Sequence, residues 1–144
     1  MPSSYETFFT LTSFAVVGHS AHKPFPRLTF GGLQRRGKTV YAVDPSVAAI
    51  DGTPTFPDLA SLPAPVEGVV IEVPRTETWA WVEQVVAAGI RHLWLHQTAD
   101  TPEAVALARE HGVEVRTGTC AVQYLDDGFP HFVHRWVRQV LGRY

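Results

Sequence analysis

The sequence predicts an α/β fold, a Rossmann-like three-layer sandwich in which helices cover both faces of a five-stranded parallel sheet and a further helix ends the chain. Three observations predict it. Short apolar runs rich in Val and Ile recur along the chain, and such runs are typical of parallel strands that are buried on both faces. Segments with helical patterning separate these runs, as expected for crossover connections between parallel strands. A glycine follows each helical segment, where the backbone favours a left-handed C-cap residue.

The expected strands and helices alternate along the chain. The five strands are predicted at Ser13–Val17, Thr39–Val43, Gly68–Val73, His92–Leu95 and Val113–Arg116. Three helices that each link two strands are predicted at Leu28–Arg36, Thr76–Ala88 and Pro102–His111, and Gly37, Gly89 and Gly112 follow them. The third helix has the clearest beginning, because Thr101 is a favourable cap and Pro102 suits the first helical position.

Two regions are less regular. The segment Asp44–Val66 contains five prolines, which predicts a surface excursion with one short helix around Asp58–Leu62. The segment Phe129–Tyr144 places Phe132 and Trp136 at helical spacing. We expect an amphipathic helix there, which docks on the body of the domain or on a second subunit of a homodimer.

Length and composition predict one globular domain, residues 1–144, and argue against several classes of protein. The 144 residues are 45% hydrophobic and 18% charged, which is ordinary for a soluble domain. The formal net charge is −2, so the basic excess of a nucleic-acid binder is missing and no nucleic-acid partner is expected. The sequence has no apolar run of the roughly 18 residues that a membrane span needs. It also lacks a signal-peptide pattern, so we expect a cytoplasmic protein without membrane association.

A ligand site is predicted at the carboxyl ends of the strands, because open α/β sheets bind ligands in the crevice where the strand order reverses. The first strand is followed by Gly18, and glycine lets the backbone pass close to an anion without a Cβ in the way. The backbone amides of this turn, the hydroxyl of Ser20 and the cations Lys23 and Arg27 form a candidate diphosphate site. The alternative interpretation is a solvated turn with ordinary surface charges.

Five short motifs, one at each strand end, resemble the small stand-alone CoA-binding proteins. The fold of that family is similar to the CoA-binding domain of the succinyl-CoA synthetase alpha subunit. The motifs are Gly18-x-Ser20, Val43-Asp44-Pro45, Val73-Pro74, Trp94-Leu95-His96 and Thr119-Cys120. The resemblance extends from about Thr12 to Tyr124, which is most of the chain.

The resemblance implies where a ligand lies and what the protein does. It places the adenosine diphosphate of coenzyme A near the first two strands and the pantetheine arm toward the later ones. The implied cofactor-binding residues are Gly18, His19, Ser20, Lys23, Arg27, Asp44, Pro45, Val73, Pro74, His96, Thr119 and Cys120. Members of the family generally lack an established enzymatic activity. The expected function is therefore binding of CoA or acyl-CoA without transformation, with no catalytic residue.

The chain departs from the family's pattern at four ligand-facing positions. His19 replaces Ala, Asp44 replaces Asn, His96 replaces Gln, and Gly118-Thr119-Cys120-Ala121 replaces Asp-Arg-Cys-Pro. A carboxylate after the second strand suits a free ribose diol, as in NAD binding, and repels a phosphate on the ribose. Against NAD, the first turn lacks the three glycines of the dinucleotide fingerprint. The alternatives are a small NAD(P)-dependent oxidoreductase with His96 as acid or base, and a nucleotide-binding interaction module with an altered cleft.

Other chemically distinctive residues have structural interpretations. Cys120 is the single cysteine, and we expect it to pack as a small hydrophobe, with a mixed disulfide to pantetheine as the alternative. The histidines lack Cys or carboxylate partners at ligand spacing, so no metal site is predicted. The aromatic residues Phe8, Phe9, Trp79 and Trp81 are expected in the core or in subunit contacts.

Overall fold

The fold follows the predicted alternation of strands and helices closely. A computed structural model describes residues 8–21, 27–50, 52–96 and 99–117. The strands are β1 (Ser13–Val17), β2 (Thr39–Val43), β3 (Ala49–Ile50), β4 (Thr53–Pro54), β5 (Gly68–Ile71), β6 (His92–Leu95) and β7 (Glu114–Arg116). The helices are α1 (Arg27–Arg35), α2 (Arg75–Ala87) and α3 (Pro102–Glu110). The predicted α/β class is confirmed, while the helix expected at the C-terminus lies outside the described residues.

The five predicted strands form one parallel sheet in the order β2-β1-β5-β6-β7. From β1 the chain goes to β2 on one side and then returns past β1 to β5 on the other. The strand order therefore reverses between β1 and β5. In open α/β sheets this is where a crevice opens beyond the carboxyl ends of the strands.

The core consists of two apolar layers, one on each face of the sheet. One layer contains Val69 and Ile71 of β5 together with Trp81, Val82 and Val85 of α2. The other layer contains Leu33 of α1, Val70 of β5 and a cluster of aromatic rings from Phe8, Phe9, Phe14 and Trp94. Neighbouring residues of β5 belong to different layers because side chains along a strand alternate between the two faces.

The local signals at the helix ends are confirmed. Gly37, Gly89 and Gly112 have φ of 74°, 72° and 77°, a region that glycine enters without steric cost. The Thr101 hydroxyl accepts a hydrogen bond from the amide of Ala104 at 3.2 Å, which satisfies one of the free donors at the start of α3.

The excursion between β2 and β5 differs from the prediction. It contains a small antiparallel hairpin, β3 with β4, which was not predicted. The prediction of a short helix around Asp58–Leu62 is wrong, because this stretch forms a turn. The Asp58 carboxylate accepts the amide of Ser61 at 2.8 Å, and Pro63 disfavours a helical conformation at the residue before it. Strand β5 also ends at Ile71, two residues before the predicted end at Val73.

The aromatic residues divide between core and surface. Phe8, Phe9 and Trp81 are buried, whereas Trp79 on α2 is 45% exposed. Within the ranges that the structure covers, no helix combines the length and apolar character needed to cross a membrane. A homodimer formed through the aromatic residues or the C-terminal segment stays a prediction.

Candidate functional site at the carboxyl edge

Asp44 accepts four hydrogen bonds at the carboxyl edge of the sheet. It directly follows β2 and is buried. One carboxylate oxygen, Oδ2, accepts the amide of Ser20 at 2.9 Å and its hydroxyl at 2.5 Å. The other, Oδ1, accepts the amide of Ser46 at 2.8 Å and its hydroxyl at 2.5 Å. Asp44 therefore ties the turn after β1 to the turn after β2.

The surroundings of Asp44 favour its charged form. Burial raises the pKa of the Asp44 carboxyl, but the hydroxyl and amide hydrogen bonds from Ser20 and Ser46 outweigh burial and hold the pKa below its ordinary value. Hydrogen bonds to a carboxylate stabilise the anion relative to the acid. The charge is thus retained inside the protein by four donors.

The turn after β1 has already used much of its hydrogen-bonding capacity. The Gly18 amide donates to the carbonyl of Val43 at 3.0 Å, which continues the ladder between β1 and β2. The Ser20 amide donates to Asp44, and the Ala21 amide donates to the hydroxyl of Ser46 at 3.2 Å. Three of the amides expected to hold a diphosphate therefore donate within the protein.

His19 and Glu77 connect the two sides of the crevice. His19 follows β1 by two residues, and Glu77 lies in the first turn of α2, beyond β5. The Nδ1 atom of His19 lies 2.6 Å from both carboxylate oxygens of Glu77. The side chains are 20% and 26% exposed, so this pair is partly open to solvent.

A second carboxylate and histidine lie together one strand further along. Glu72 directly follows β5 and His96 directly follows β6, and Glu72 Oε1 is 3.8 Å from His96 Nε2. The amide of Glu72 donates to Val17 and the amide of His96 donates to Ile71, so the sheet ladder continues through both residues. Both side chains are less than one-fifth exposed. An imidazole beside a buried carboxylate is suited to hold or transfer a proton.

The structure brings together several of the residues predicted to bind a ligand. Gly18, Ser20, Asp44 and Pro45 lie around the linked turns after β1 and β2, and His19 lies across the crevice from α2. Val73 and Pro74 lead from β5 into α2, and His96 follows β6. Arg27 is the exposed first residue of α1. Lys23, Thr119 and Cys120 lie outside the described residues.

The sequence analysis did not identify three residues of this edge, Ser46, Glu72 and Glu77. Ser46 had a local signal, because Asp followed two residues later by Ser is typical of a turn in which the Asp side chain accepts a backbone amide. Glu72 had a weaker signal, namely a charged residue at the end of an apolar run. Glu77 had none, because its partner His19 is 58 residues away. Within the described part of the chain, no three His, Cys, Asp or Glu side chains are grouped so that they could hold a metal ion.

Solved structures share this fold. A hypothetical protein from Pyrococcus horikoshii OT3 superposes with a TM-score of 0.75 at 24% identity, covering 83% of this chain and 86% of that one. A conserved hypothetical protein from Pyrococcus furiosus superposes with a TM-score of 0.68 at 26% identity, over 77% and 97% of the two chains. These similarities define a class of Rossmann-like domains with the same fold.

The same fold also occurs inside a larger protein. In the dinucleotide-forming acetyl-coenzyme A synthetase 1 of Ca. Korarchaeum cryptofilum, the TM-score is 0.64 at 22% identity. The match covers 78% of this chain but 27% of the synthetase. This similarity shows a shared fold alone.

Sequence comparison defines the family within this class. The sequence model of the CoA binding domain matches residues 12–125. The match includes all the described strands and helices, and the chain belongs to the CoA binding domain family. Among curated proteins, none matches the chain.

Proposed function

We propose that the chain binds coenzyme A or an acyl-CoA at the carboxyl edge of the sheet and releases it unchanged. The observation that carries the proposal is the family match over residues 12–125, which includes every strand end of the crevice. Ligand binding at this edge also agrees with the strand order, because the order reverses between β1 and β5.

The adenosine part of the ligand fits the end of the crevice nearest β2. An open pocket there is lined by the residues that follow β2, namely Asp44, Pro45, Ser46, Val47 and Ala48, together with Thr55 and Pro57. Backbone and small side chains of this kind suit a flat base and its ribose. We therefore assign the adenine to this pocket, the diphosphate to the turn after β1, and the pantetheine arm to the ends of β5 and β6.

The hydrogen bonds of Asp44 argue against the ribose contact of an NAD site. In NAD-binding domains an acidic residue accepts hydrogen bonds from the free ribose hydroxyls. A carboxylate has about four acceptor positions, and Ser20 and Ser46 supply four donors to Asp44. A ribose diol would have to displace some of the amides and hydroxyls that donate to Asp44. Asp44 is therefore better explained as a group that joins two turns.

Ligand preference is tested by thermal denaturation and calorimetry with CoA, acetyl-CoA, NAD and NADP. A ligand that binds only the folded state raises the apparent stability. We expect CoA and acetyl-CoA to raise the melting temperature and to give a saturable heat of binding, with no turnover of either ligand. Stabilisation by NAD but not by CoA would contradict the proposal.

The variant Asp44→Asn tests where the adenosine lies. It removes a negative charge, so a ligand that carries a phosphate on its ribose should bind more tightly if the two turns keep their positions. Because the Asn side chain has a donor nitrogen in place of one acceptor oxygen, the amide signals of Ser20 and Ser46 are compared with those of the wild type to check the turns. Glu67→Gln, which removes a charge at the opposite edge of the sheet, is the matched control and should leave the affinity for CoA unchanged. Weaker CoA binding by Asp44→Asn, with the amide signals of Ser20 and Ser46 unchanged, would contradict the placement.

A small NAD(P)-dependent oxidoreductase is the second candidate function, and the pair of Glu72 and His96 is the observation that favours it. The variant His96→Gln introduces the residue that the resembling family has at this position. The CoA-binding proposal predicts that this variant still binds CoA and does not turn it over. Turnover of NAD(P)H by the wild-type chain that His96→Gln abolishes would favour the oxidoreductase instead.

A further inference from the structure

Trp79 is an exposed aromatic residue on the outer side of α2. The inner side of this helix is buried against the sheet through Thr78, Trp81, Val82 and Val85. Among the described side chains, Trp79 is the only large apolar one that is exposed. Removing an indole from water is favourable, and Trp is enriched among the residues that dominate binding between proteins. The outer side of α2 is therefore a candidate contact surface.

A shallow depression lies on the neighbouring helix α3. It has a volume of about 540 Å³, and Trp79 of the same copy does not line it. The two helices cover the same face of the sheet, because Trp81 of α2 and Ala104 of α3 belong to one apolar layer. The lining combines apolar and polar residues, namely Pro102, Val105 and Ala106 with Asp100, Thr101, Arg109 and Glu110.

Trp79 and the depression lie at the same height along the two helices. Both helices begin at the carboxyl edge and run toward the amino edge, because each links one parallel strand to the next. The Thr78 hydroxyl donates to the carbonyl of Ala99 at 2.6 Å, so Trp79 is level with the start of the depression at Asp100. A two-fold axis that runs between the helices and parallel to them keeps these heights. It places α2 of each copy over α3 of the other.

The exposed charges of the two helices run in opposite order from the carboxyl edge. On α2, Arg75 comes first and Glu83 lies one turn beyond Trp79, and both are exposed. Around the depression, Asp100 comes first and Arg109 lies in the last turn of α3. In the two-fold arrangement Arg75 faces the partner's Asp100, and Glu83 faces the partner's Arg109. Opposite charges therefore meet on both sides of the indole, which gives the self-complementary surface that a two-fold contact needs.

We propose that the outer face of α2 and α3 is an interface between two copies of this chain, in which Trp79 of each copy enters the depression on α3 of the other. Both helices are needed, because a stable interface buries about 800 Å² on each partner and a single helix of 13 residues is a narrow surface. The inference goes beyond the proposed function, since the crevice at the strand ends and the outer face of the helices are different surfaces.

The first experiment is analytical ultracentrifugation of the full chain over a range of concentrations, without CoA. The wild type should sediment as a dimer that dissociates on dilution. Trp79→Ala should raise the dissociation constant of the dimer at least about 30-fold, because a Trp buried at the centre of an interface is a typical hot spot. Ala106→Arg fills the depression and should weaken the dimer similarly. Circular dichroism checks that each variant is folded.

The second experiment tests which helices meet. Glu83→Arg places two Arg side chains opposite each other in a dimer of that variant, and Arg109→Glu likewise places two Glu side chains opposite each other. Each variant should weaken its own dimer about tenfold or more, because like charges face each other. An equimolar mixture of the two variants should recover the wild-type affinity, since both contacts between unlike copies then pair Arg with Glu. Arg35→Glu, an exposed reversal on α1, is the matched control and should change nothing.

The outcomes test the interface separately from CoA binding. If the wild type is a monomer at every concentration, the inference is overturned, whether a different protein or another segment of this chain covers Trp79. A dimer that Trp79→Ala leaves unchanged would use another surface and would also overturn it. If the mixture of Glu83→Arg and Arg109→Glu associates no better than either variant alone, α2 does not lie over the partner's α3. None of these results depends on whether the chain binds CoA.

Discussion

The two edges of the sheet use the same kinds of side chain in different surroundings. At the carboxyl edge, Asp44 is buried and accepts four hydrogen bonds from two serines. At the amino edge, Glu67 is exposed and accepts the amide and hydroxyl of Thr12 at 2.7 and 2.6 Å. In both carboxyls these hydrogen bonds hold the pKa below its ordinary value, but only at the carboxyl edge is the anion kept away from water.

The comparison of histidines shows the same difference. His19 and Glu77 lie 2.6 Å apart and are both mostly buried, whereas His92 and Glu114 lie 3.3 Å apart with Glu114 66% exposed. Exposed ion pairs contribute little to stability because water and salt screen them. The amino edge also has a groove, but its lining, which includes Leu59, Pro63, Val66 and Ile90, has no charged side chain. The contrast teaches that the same kinds of side chain differ in burial and in hydrogen bonding at the two edges of the sheet.

Removal of the Asp44 carboxylate should give the largest difference in stability loss between the two edges of the sheet. Asp44→Ala leaves two amides and two hydroxyls without their acceptor, and the free energy of unfolding should fall by about 3 kcal/mol. Urea denaturation followed by circular dichroism measures the change. Glu67→Ala is the matched variant. Its free energy of unfolding should fall clearly less, because water replaces the exposed carboxylate as a hydrogen-bond partner. Equal losses in the two variants would remove the distinction between the edges.

The aromatic layer near the amino edge should be sensitive to added volume. A Cβ at Gly68 would lie 3.1 Å from Leu11, 3.1 Å from Phe8 and 3.2 Å from Phe14, which is tighter than ordinary packing. We expect Gly68→Ala to lower the free energy of unfolding by about 1 to 2 kcal/mol through overpacking. The measurement is again urea denaturation, with CoA affinity as a second readout. A loss of CoA affinity at full folding would place part of the ligand site near the wrong edge.

Acid should weaken the carboxyl edge selectively, with a smaller effect. The pKa of Asp44 is lowered in the folded state relative to about 3.9 in the unfolded chain. The contribution of the Asp44 carboxylate to the free energy of unfolding is therefore fully present above the pKa of the unfolded chain. It is lost as the pH falls through the pKa of the folded protein. The difference in urea midpoint between the wild type and Asp44→Asn should shrink below about pH 4. The difference in urea midpoint between the wild type and Glu67→Gln should be smaller than that for Asp44→Asn at neutral pH. A midpoint difference for Asp44→Asn that stays constant as the pH falls would contradict the assigned hydrogen bonds.

The fold was largely predictable because its signals are local. The strands were expected from apolar runs, and Gly89 and Gly112 mark helix ends at which the backbone must adopt a positive φ. The hairpin of β3 and β4 was missed although the sequence contains a signal for it, since Asp51-Gly52 is a favoured hairpin pair. The error at Asp58–Leu62 arose because a side-chain hydrogen bond formed a turn in place of a helix.

The site was less predictable because it depends on the order of the strands. Gly18, His19, Ser20 and Asp44 were found as residues that follow strands, which is a local property. That His19 meets Glu77 follows only once β1 is known to lie beside β5. Asp44 was expected to face a ribose, and its contacts with Ser20 and Ser46 give it another role that no local pattern of a single strand end reveals.

The most direct test of the account is to map CoA binding onto the two edges by nuclear magnetic resonance of the uniformly labelled chain. Saturating CoA should shift the amide signals of His19, Ser46 and Glu77 at the carboxyl edge. The amide signals of Glu67 and His92 at the amino edge should remain in place. Shifts confined to the amino edge and its groove, with the carboxyl edge unchanged, would contradict the placement of the ligand site.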